Sequence, residues 1–517
     1  MKLKLGISFP LLTTLQVAPT AAQEPSEPQH PNVIIILADD IGYGDLSCNG
    51  SATIRTPNVE RLASNGLRLT NAHSAAATST PSRYSILTGE YAWRRSGTGI
   101  ADGDAALIIS PDSYTMADMM SHSGYSTCVI GKWHLGLGSE NGKQDWNSSI
   151  SPCAADIGFD YSFIMAATGD RVPCVFIEND RVSGLDPDYP IYVNYKENFE
   201  GEPTGRDNPE LLTMLPSHGH DCSIVNGISR IGYMKGGGSA LWKDELIAEQ
   251  ITQKAVEYIA QCAGKPFFLY FATQDAHVPR VPGERFRGKS GYGARGDALL
   301  EFDWSVGQII DAVQAAGIAE NTIIILSSDN GPVVDDGYAD GAVETLADHR
   351  PWGDFRGGKY SAFEAGTRVP CIISWPGVIE PAVSDKLMSQ VDWFASLAAL
   401  TGATLPDGAA PDSDNYIDDW LGSRSDGRPY VVTQNAYNTL TITTADGWKY
   451  IQPSNGAPYN KNVDIETGNS PEPQLYNLNS DPGETVNLAE DQPETTRRLA
   501  AELEKIKDTR VNQPLIK

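Results

Sequence analysis

Two pairs of oxygen-bearing side chains follow two similar apolar runs of the sequence. Asp39 and Asp40 come after the run NVIIIL, and Asp329 and Asn330 come shortly after the run NTIIIL. Hard divalent cations such as Ca²⁺ take carboxylate and amide oxygens as ligands. An isolated Asp-Asp or Asp-Asn-Gly is usually only a turn. Both pairs at strand ends nevertheless predict a cation site, because adjacent carboxylates repel each other without one.

The segment STPSRYSILTG, which begins at Ser79, places a hydroxyl at the start of a predicted helix. Thr80 and Pro81 are typical of a cap and a first helical position, and Gly89 is typical of a helix stop. Free backbone N–H groups and the helix dipole favour an anion at such an N-terminus. An ordinary serine hydroxyl is a poor nucleophile near pH 7 and needs an activating base or metal. The segment therefore predicts an anion site whose reactivity depends on how Ser79 is activated.

Lysine and histidine side chains occur in three further segments. Lys132 and His134 alternate along GKWHLG after one predicted strand, so both can point the same way. His277 lies in QDAHVP after the predicted strand PFFLYF, and Lys359 ends the segment RGGK. Each residue alone is more often a surface lysine or a capping histidine. Their position after strands favours one shared site, because ligands of open α/β sheets bind at the carboxyl ends of the strands.

These segments resemble the signatures of type I sulfatases, which belong to the alkaline phosphatase superfamily. The segment from Ser79 matches C/S-x-P-S-R-x-x-x-L-T-G, and GKWHLG is present in full. RGGK with FEAGTRVP resembles R-G-G-K…W-E-G-G-x-R-V-P, from which Phe363 and Ala365 depart. LYNL with DPGE resembles the family's C-terminal signature. The resemblance implies that a maturase oxidises Ser79 to formylglycine (3-oxoalanine), whose hydrated aldehyde attacks a sulfate ester.

The resemblance also implies a role for each site residue. Arg83 holds the formylglycine, Lys132 steadies the nucleophile or the sulfate, and Lys359 binds sulfate oxygens. His277 protonates the leaving oxygen as a general acid, and His134 is the base that expels sulfate from the sulfated intermediate. The calcium ligands that the resemblance implies are Asp39, Asp40, Asp329 and Asn330.

Several polar residues in loops are predicted to contact the substrate. The expected substrate is a sulfated carbohydrate, either a galactan of the carrageenan type or a host glycan, by analogy with bacterial carbohydrate sulfatases. For the acidic loop after Asn330, a solvated surface is the alternative. Glu364 and Arg368 are expected to form a structural ion pair. The predicted substrate contacts are Asp170, Arg171, His218, His220, Arg230, Asp335, Asp336 and His349.

The elements that must position these residues are strands alternating with helices. This alternation predicts an α/β fold with a large, mostly parallel sheet sandwiched by helices, and the resemblance makes it alkaline-phosphatase-like. We expect a catalytic domain over residues 32–426, with a loop-rich, substrate-shaping insertion over 139–238. A smaller C-terminal α+β subdomain is expected over 427–517.

Composition restricts the partners and the compartment. The chain has 517 residues, with 39 Lys and Arg against 66 Asp and Glu, so its formal net charge is −27. Such acidity argues against nucleic acids and anionic membranes as partners. Residues 1–22 resemble a signal peptide and residues 23–31 a tether, which predicts a periplasmic or secreted protein without a membrane helix.

The seven cysteines match no zinc-binding pattern. One pair among Cys153, Cys174 and Cys222 is a candidate disulfide in the loop-rich region. Cys128 and Cys371 lie in apolar strand-like runs, which favours buried thiols.

Three functions stay open at the level of sequence. The first is a carbohydrate sulfatase. The second is a phosphodiesterase or phosphonate hydrolase of the same superfamily, which Asn330 in place of a histidine ligand disfavours. The third is a glycan-binding protein without turnover, in which Ser79 is never oxidised.

Overall fold

The computed structural model of the protein describes residues 30–509. The predicted signal peptide over residues 1–22, most of the tether over 23–31, and residues 510–517 lie outside this range. Within residues 30–509, no helix has the length and apolar character that crossing a bilayer requires.

A ten-stranded sheet forms the centre of the fold. The strand Asn32–Ala38 pairs in parallel with Phe267–Ala272 on one side and Thr322–Ser328 on the other. All three strands are buried along their whole length, which explains their unbroken apolar runs. The spatial order of the ten strands is Ala382–Ser384, Gly66–Leu69, Cys371–Ser374, Thr322–Ser328, Asn32–Ala38, Phe267–Ala272, Ser126–Lys132, Tyr161–Met165, Phe176–Glu178 and Arg181–Val182.

The longer helices of the sheet domain form two groups. Within one group Pro57–Ser64, Ile247–Cys262 and Gly293–Ala315 pack on one another, and within the other Ser79–Thr88, Met116–His122 and Trp393–Thr401 do so. The first group contacts the strand Ser126–Lys132 through Ile247–Cys262, and the second group contacts the same strand through Met116–His122. The predicted α/β sandwich is confirmed.

The loop-rich region over residues 139–238 differs from the prediction in one respect. Three of its short runs, Tyr161–Met165, Phe176–Glu178 and Arg181–Val182, extend the central sheet at one edge. Their shortness and the intervening Gly and Pro residues hide them in the sequence. Two further pairs of short strands lie in this region, Ile224–Val225 with Ile228–Ser229 and Tyr192–Asn194 with Tyr233–Lys235. Outside it, Ala72–His73 pairs with Met388–Ser389.

A second, antiparallel sheet forms the C-terminal part of the structure. Its four strands follow one another in space as Tyr430–Gln434, Leu440–Thr444, Trp448–Ile451 and Gln474–Asn477. The helix Pro493–Asp508 packs on the two middle strands and buries Leu499, Leu503 and Ile506. A short hairpin joins Tyr459–Asn460 to Ile465–Glu466. Two further short helices cover Ala342–Thr345 and Ile417–Trp420.

All seven cysteines lie within the described residues, and all are free thiols. The candidate disulfide among Cys153, Cys174 and Cys222 is therefore not formed in this structure. Cys128 and Cys371 are buried, as their apolar surroundings predict.

Candidate active site

The two parallel strands Asn32–Ala38 and Thr322–Ser328 end in register, with Ala38 opposite Ser328. This register places Asp39 and Asp40 beside Asp329 and Asn330 at the carboxyl edge of the sheet, and all four side chains are fully buried. The Asn330 amide donates to Asp40 Oδ1 at 2.7 Å. The spacing of the two pairs along the sequence thus becomes one polar cluster.

The cluster has the donor set that a hard cation needs. Oxygens of Asp39 and Asp40 and a ring nitrogen of His277 all lie within 4.8 Å of one another. The Oδ1 atom of Asn330 is buried without a hydrogen-bond partner among the described residues. Burial, and then Asp329, raise the pKa of Asp39 well above its ordinary value of 3.8, so its buried negative charge is disfavoured. A divalent cation would satisfy both the unpaired oxygen and this charge.

Asp329 has a different environment from the other three residues. Its Oδ2 accepts hydrogen bonds from Nε of Arg83 at 3.1 Å and from Nη2 at 2.8 Å. The same atom accepts a short hydrogen bond from Ser79. Arg83 and Lys132 keep the pKa of Asp329 below its ordinary value even though burial raises it. The structure thus places Asp329 between the predicted metal site and the predicted nucleophile.

Ser79 lies at the first position of the helix Ser79–Thr88, and Thr78 precedes it in an extended conformation. The sequence-based prediction that Thr80 caps this helix and Pro81 begins it is wrong, because the helix begins two residues earlier, at Ser79, and Pro81 is its third residue. Gly89 ends the helix in the left-handed conformation with φ 63°, as predicted. The hydroxyl of Ser79 therefore lies among the unpaired N–H groups of the first turn.

Lys132 and Arg83 surround the Ser79 hydroxyl with positive charge. The Nζ of Lys132 lies 2.6 Å from Ser79 Oγ and 2.5 Å from Asp39 Oδ2. Arg83 donates to the carbonyl of Lys132 at 3.1 Å, which ties the two residues together. Both side chains are fully buried, and burial lowers the pKa of Lys132 although Asp39 opposes this effect. An anionic oxygen at position 79 would meet these cations without solvent screening.

His134 is oriented as a proton acceptor. Its Nε2–H donates to the carbonyl of Ala101 at 3.0 Å, and its buried Nδ1 has no hydrogen-bond partner among residues 30–509. Burial, and then Lys132, lower the pKa of His134 well below its ordinary value of 6.5. The ring is therefore neutral near pH 7, with a free lone pair on Nδ1.

His277 faces the cluster with its other ring nitrogen. Its Nδ1–H donates to the carbonyl of Val278 at 2.7 Å, which leaves Nε2 3.8 Å from Asp40 Oδ2. Burial, and then Lys359, lower the pKa of His277 to about 4. A bound anion would oppose both effects and favour the protonated ring.

Lys359 is held by two carboxylates. Its Nζ donates to Asp40 Oδ2 and to Asp336 Oδ2, each at 2.7 Å. Asp336 also accepts from the hydroxyl of Tyr360 at 2.8 Å. Although burial lowers the pKa of Lys359, the two carboxylates raise it well above its ordinary value. Lys359 therefore carries its charge into the site.

Four of the six predicted catalytic residues, Ser79, His134, His277 and Lys359, line a small pocket of about 60 Å³. The other two, Arg83 and Lys132, are buried and are not among its lining residues. Tyr360 lines this pocket and was missed by sequence reasoning, although it directly follows Lys359. The pocket is lined by Thr78, Ser79, Ile100, His134, Asp170, Arg171, His220, Ile231, His277, Asp336, Lys359 and Tyr360. A pocket with the Ser79 hydroxyl, three histidines and a lysine has the composition needed to bind and react with an anion.

Comparison with known proteins agrees with this chemistry. A model of the Sulfatase family matches residues 31–403 of the chain. The chain belongs to the sulfatase family. It is 53% identical over 479 residues to an N-acetylgalactosamine-6-O-sulfatase of Bacteroides thetaiotaomicron, over 93% of each chain. Human arylsulfatase A is 29% identical to this sulfatase, over 89% of this chain and 83% of its own.

A solved structure supports the same family assignment. A structure from work on the metabolism of multiple glycosaminoglycans by Bacteroides thetaiotaomicron superposes on this sulfatase with a TM-score of 0.91. The two chains are 52% identical, and the match covers 93% of this chain and 100% of the other. The predicted family and enzyme class are confirmed: the protein is a sulfuric ester hydrolase, and the phosphodiesterase alternative loses its support.

Half of the predicted substrate contacts lie in the pocket of this sulfatase. Asp170, Arg171, His220 and Asp336 line it. Substrate binding by these four residues stays a prediction.

The other four predicted contacts, His218, Arg230, Asp335 and His349, are not among the pocket-lining residues. Asp335 accepts a 2.6 Å hydrogen bond from Ser217 and lies 3.9 Å from His218. Arg230 is fully buried, and its guanidinium pairs with Asp244 at 2.8 Å, so the structure gives its predicted substrate role no support.

The predicted substrate role of His349 has no support in the structure either. Its Nε2 contacts Asp45 Oδ1 at 2.8 Å, and its Nδ1 contacts the hydroxyl of Thr53 at 2.6 Å. Arg295 pairs with both oxygens of Asp45, at 2.6 and 2.7 Å. His349 therefore belongs to a buried structural network behind the site, and sequence alone does not distinguish this role from substrate binding.

This network predicts a stability effect. Asp45→Asn leaves the buried Arg295 charge unpaired and is expected to lower the free energy of unfolding by about 3–5 kcal/mol at pH 7. Arg295 and His349 hold the pKa of Asp45 below its ordinary value of 3.8 although burial raises it. The stabilisation is therefore present above pH 3.8 and is lost as the pH falls below it.

Urea unfolding of the wild type and of Asp45→Asn at several pH values measures this effect. The control is Arg55→Gln, which breaks the exposed Arg55–Glu60 pair and is expected to leave the midpoint almost unchanged. Equal midpoint shifts in the two variants would contradict the assignment.

Proposed function

We propose that this sulfatase hydrolyses 6-O-sulfate esters of N-acetylgalactosamine in a sulfated glycan, using a formylglycine formed from Ser79 and one bound Ca²⁺. The observation that carries the proposal is the position of Ser79 Oγ. It lies 2.6 Å from Lys132 Nζ and donates to Asp329, in a pocket that Lys359, His134 and His277 also line. The choice of sugar rests on the name of the relative with 53% identity.

The surroundings of position 79 fit an oxidised residue. When present, the hydrated aldehyde supplies the oxygen nucleophile that an ordinary serine hydroxyl does not provide. Lys132 stabilises negative charge on an oxygen at this position, and Asp329, kept ionised by Arg83, accepts a hydrogen bond from it. We also propose maturation by a formylglycine-generating enzyme and export to the periplasm or the medium, on the basis of residues 1–22.

The residues that would hold Ca²⁺ are Asp39, Asp40, Asp329 and Asn330, and His277 faces them. Ca²⁺ supplies positive charge for the anionic oxygen at position 79 and for the sulfate group. The unpaired Oδ1 of Asn330 and the raised pKa of Asp39 support this assignment.

Calcium binding predicts a change in stability. At a free Ca²⁺ concentration 100 times its Kd, the free energy of unfolding is expected to rise by about 2.7 kcal/mol. Asn330→Ala should lose most of this increase, as measured by thermal unfolding with and without Ca²⁺. Asp412→Asn removes a buried carboxylate that pairs with Arg94 outside the site and should retain the increase. An unchanged calcium effect in Asn330→Ala would contradict the ligand set.

Three side chains are proposed to act on the ester itself. Lys359 binds sulfate oxygens with the charge that Asp40 and Asp336 maintain. His277 delivers a proton from Nε2 to the departing alcohol oxygen. His134 accepts a proton on its free Nδ1 when sulfate is released.

Asp170, Arg171 and His220 form the proposed sugar-binding side of the pocket. Asp170 Oδ2 lies 3.0 Å from Arg171 Nη1 and 2.9 Å from His220 Nε2. Asp170 raises the pKa of His220 although burial lowers it. Charged donors held on one carboxylate are suited to fixed recognition of sugar hydroxyls.

His220→Ala is expected to lower kcat/KM for 6-O-sulfated N-acetylgalactosamine by roughly 10- to 100-fold, the loss of a hydrogen bond to a charged group. An aryl sulfate has no sugar hydroxyls, so its kcat/KM should change much less. His218→Ala is the matched control, because His218 does not line the pocket. Equal losses on both substrates in His220→Ala would argue against sugar recognition.

The proposal is tested by mass spectrometry of the Ser79 peptide together with assays on three substrates. A peptide two hydrogens lighter than serine, with turnover of 6-O-sulfated N-acetylgalactosamine exceeding that of an aryl phosphodiester, is the expected result. Unmodified serine with sulfate ester binding but no turnover would instead identify a glycan-binding form. Faster turnover of the 4-O-sulfated sugar would overturn the choice of position.

A further inference from the structure

The segment over residues 356–363 carries Lys359 and Tyr360 into the pocket without forming a helix or a strand. Tyr360 has φ +74°, a left-handed conformation that is costly for a residue with a Cβ atom. Within the catalytic domain, backbone hydrogen bonds join Lys359 N to Pro332 O and Tyr360 N to Ala77 O, each at 2.8 Å. The left-handed conformation of Tyr360 must therefore be stabilised by contacts between this segment and other parts of the chain.

The C-terminal subdomain provides many of these contacts. Glu466, in the hairpin of that subdomain, accepts two hydrogen bonds from Arg356 at 2.6 and 2.7 Å. Its carbonyl also accepts from the hydroxyl of Ser361 at 2.6 Å. The next residue of the hairpin, Thr467, accepts from the backbone N–H of Ala362 at 2.8 Å.

A buried group of charges continues this interface. Glu484 accepts the backbone N–H of Glu364 at 2.6 Å, and its own carbonyl accepts from Arg356 at 2.6 Å. Lys449 lies between the two carboxylates, 3.1 Å from Glu364 and 3.0 Å from Glu484. All three side chains of this ion group are at most 1% exposed. Buried charges at hydrogen-bond distance restrict the geometry of the groups that carry them.

We infer that the C-terminal subdomain is the positioning element for Lys359 and Tyr360, and that Glu484 and Lys449 act as positioning residues for sulfate ester binding. This inference rests on the proposed function of Lys359. Glu484 does not reach the pocket. Glu484 holds the backbone of Glu364, directly after the segment. The hairpin holds Arg356 and Ser361. Lys359 and Tyr360 therefore lie between held positions.

Two substitutions at Glu484 distinguish the loss of its hydrogen-bond acceptor from the loss of its negative charge. Glu484→Ala removes the acceptor for the Glu364 N–H and is expected to lower kcat/KM by about 10-fold. Glu484→Gln retains an oxygen acceptor and is expected to stay within about threefold of the wild type. Equal losses in the two variants would overturn the inference.

A double-mutant cycle tests whether the effect passes through Lys359. In the Lys359→Ala background, Glu484→Ala is expected to reduce kcat/KM by less than about twofold more, because the positioned side chain is already gone. The same 10-fold loss in both backgrounds would mean a general structural role and would overturn the inference.

Hydrogen exchange of the peptide over residues 356–366 gives a readout independent of turnover. Exchange there is expected to be faster in Glu484→Ala and, to a lesser extent, in Glu466→Ala, whose half-exposed side chain makes misfolding a smaller concern. Arg94→Met is the control, because Arg94 contacts the last helix at the carbonyl of Ile506 and lies away from the segment. An unchanged exchange rate in both glutamate variants would overturn the inference. Faster exchange in the two glutamate variants, together with no sulfate ester turnover by the wild type, would leave positioning supported and the proposed function refuted.

Discussion

Ser79→Ala is expected to abolish sulfate ester hydrolysis, lowering kcat/KM by on the order of 10⁴-fold or more, because it removes the only carbon-bound oxygen from which the nucleophile can form. Lys132, Asp329 and Asp39 all direct polar atoms at this oxygen. Alanine leaves these groups around an empty position. The measurement is turnover of the sulfated sugar, with mass spectrometry of the peptide in the wild type.

The matched control for this substitution is Ser85→Ala in the same helix. The Ser85 hydroxyl accepts a hydrogen bond from the backbone of Ala92 at 3.1 Å, so its loss affects only local stability. Ser85→Ala should therefore retain kcat/KM within a factor of about three. If Ser79→Ala kept more than a tenth of wild-type kcat/KM, position 79 would not carry the nucleophile.

The polar cluster of Asp39, Asp40, Asp329 and Asn330 could be predicted from the sequence because its position follows from the ends of two strands, while calcium binding there stays a prediction. Parallel neighbouring strands end at the same edge of a sheet, so residues directly after NVIIIL and NTIIIL must meet there. The observed strands extend beyond those runs, to Ala38 and Ser328, because the small residues at their ends still pair in the sheet. The error in the strand boundary did not affect the prediction, since both strands end in register.

The partners of buried charges could not be predicted in the same way. Arg230 and His349 have the residue types of sugar ligands, and their sequence neighbours do not identify Asp244 or Asp45 as partners. The contact between His349 and Asp45 joins residues 304 positions apart. Such a pairing depends on the three-dimensional course of loops, which hydrophobic periodicity does not encode.

The position of Tyr360 was unpredictable for a related reason. Nothing in the sequence shows that the backbone at residue 360 takes a left-handed conformation, which turns its side chain into the pocket beside Lys359. The anchors for that conformation come from Ala77 and from the C-terminal subdomain. Because the surroundings of Tyr360 come from two subdomains, the motifs of either subdomain identify only part of the site.

His277→Ala and Lys359→Ala are each expected to lower kcat/KM for the sulfated sugar by roughly 10²- to 10⁴-fold, the range for loss of general acid catalysis or of a charge on the reacting group. The two roles predict different dependence on the leaving group. A sugar alkoxide needs a proton as it departs, whereas a phenolate with a low pKa departs without one. Lys359 contacts the sulfate, which both substrates share.

The comparison of sugar sulfate with an activated aryl sulfate therefore separates the two residues. His277→Ala should lose much less activity on the aryl sulfate than on the sugar sulfate, while Lys359→Ala should lose a similar factor on both. Near-normal turnover in either variant would contradict its role, and equal losses in His277→Ala would exclude it as the general acid. Because the Nδ1–H of His277 is bound to the carbonyl of Val278 at 2.7 Å, only Nε2 can deliver the proton. In the proposed mechanism the leaving oxygen would then lie on the side of Asp40, which also contacts Lys359.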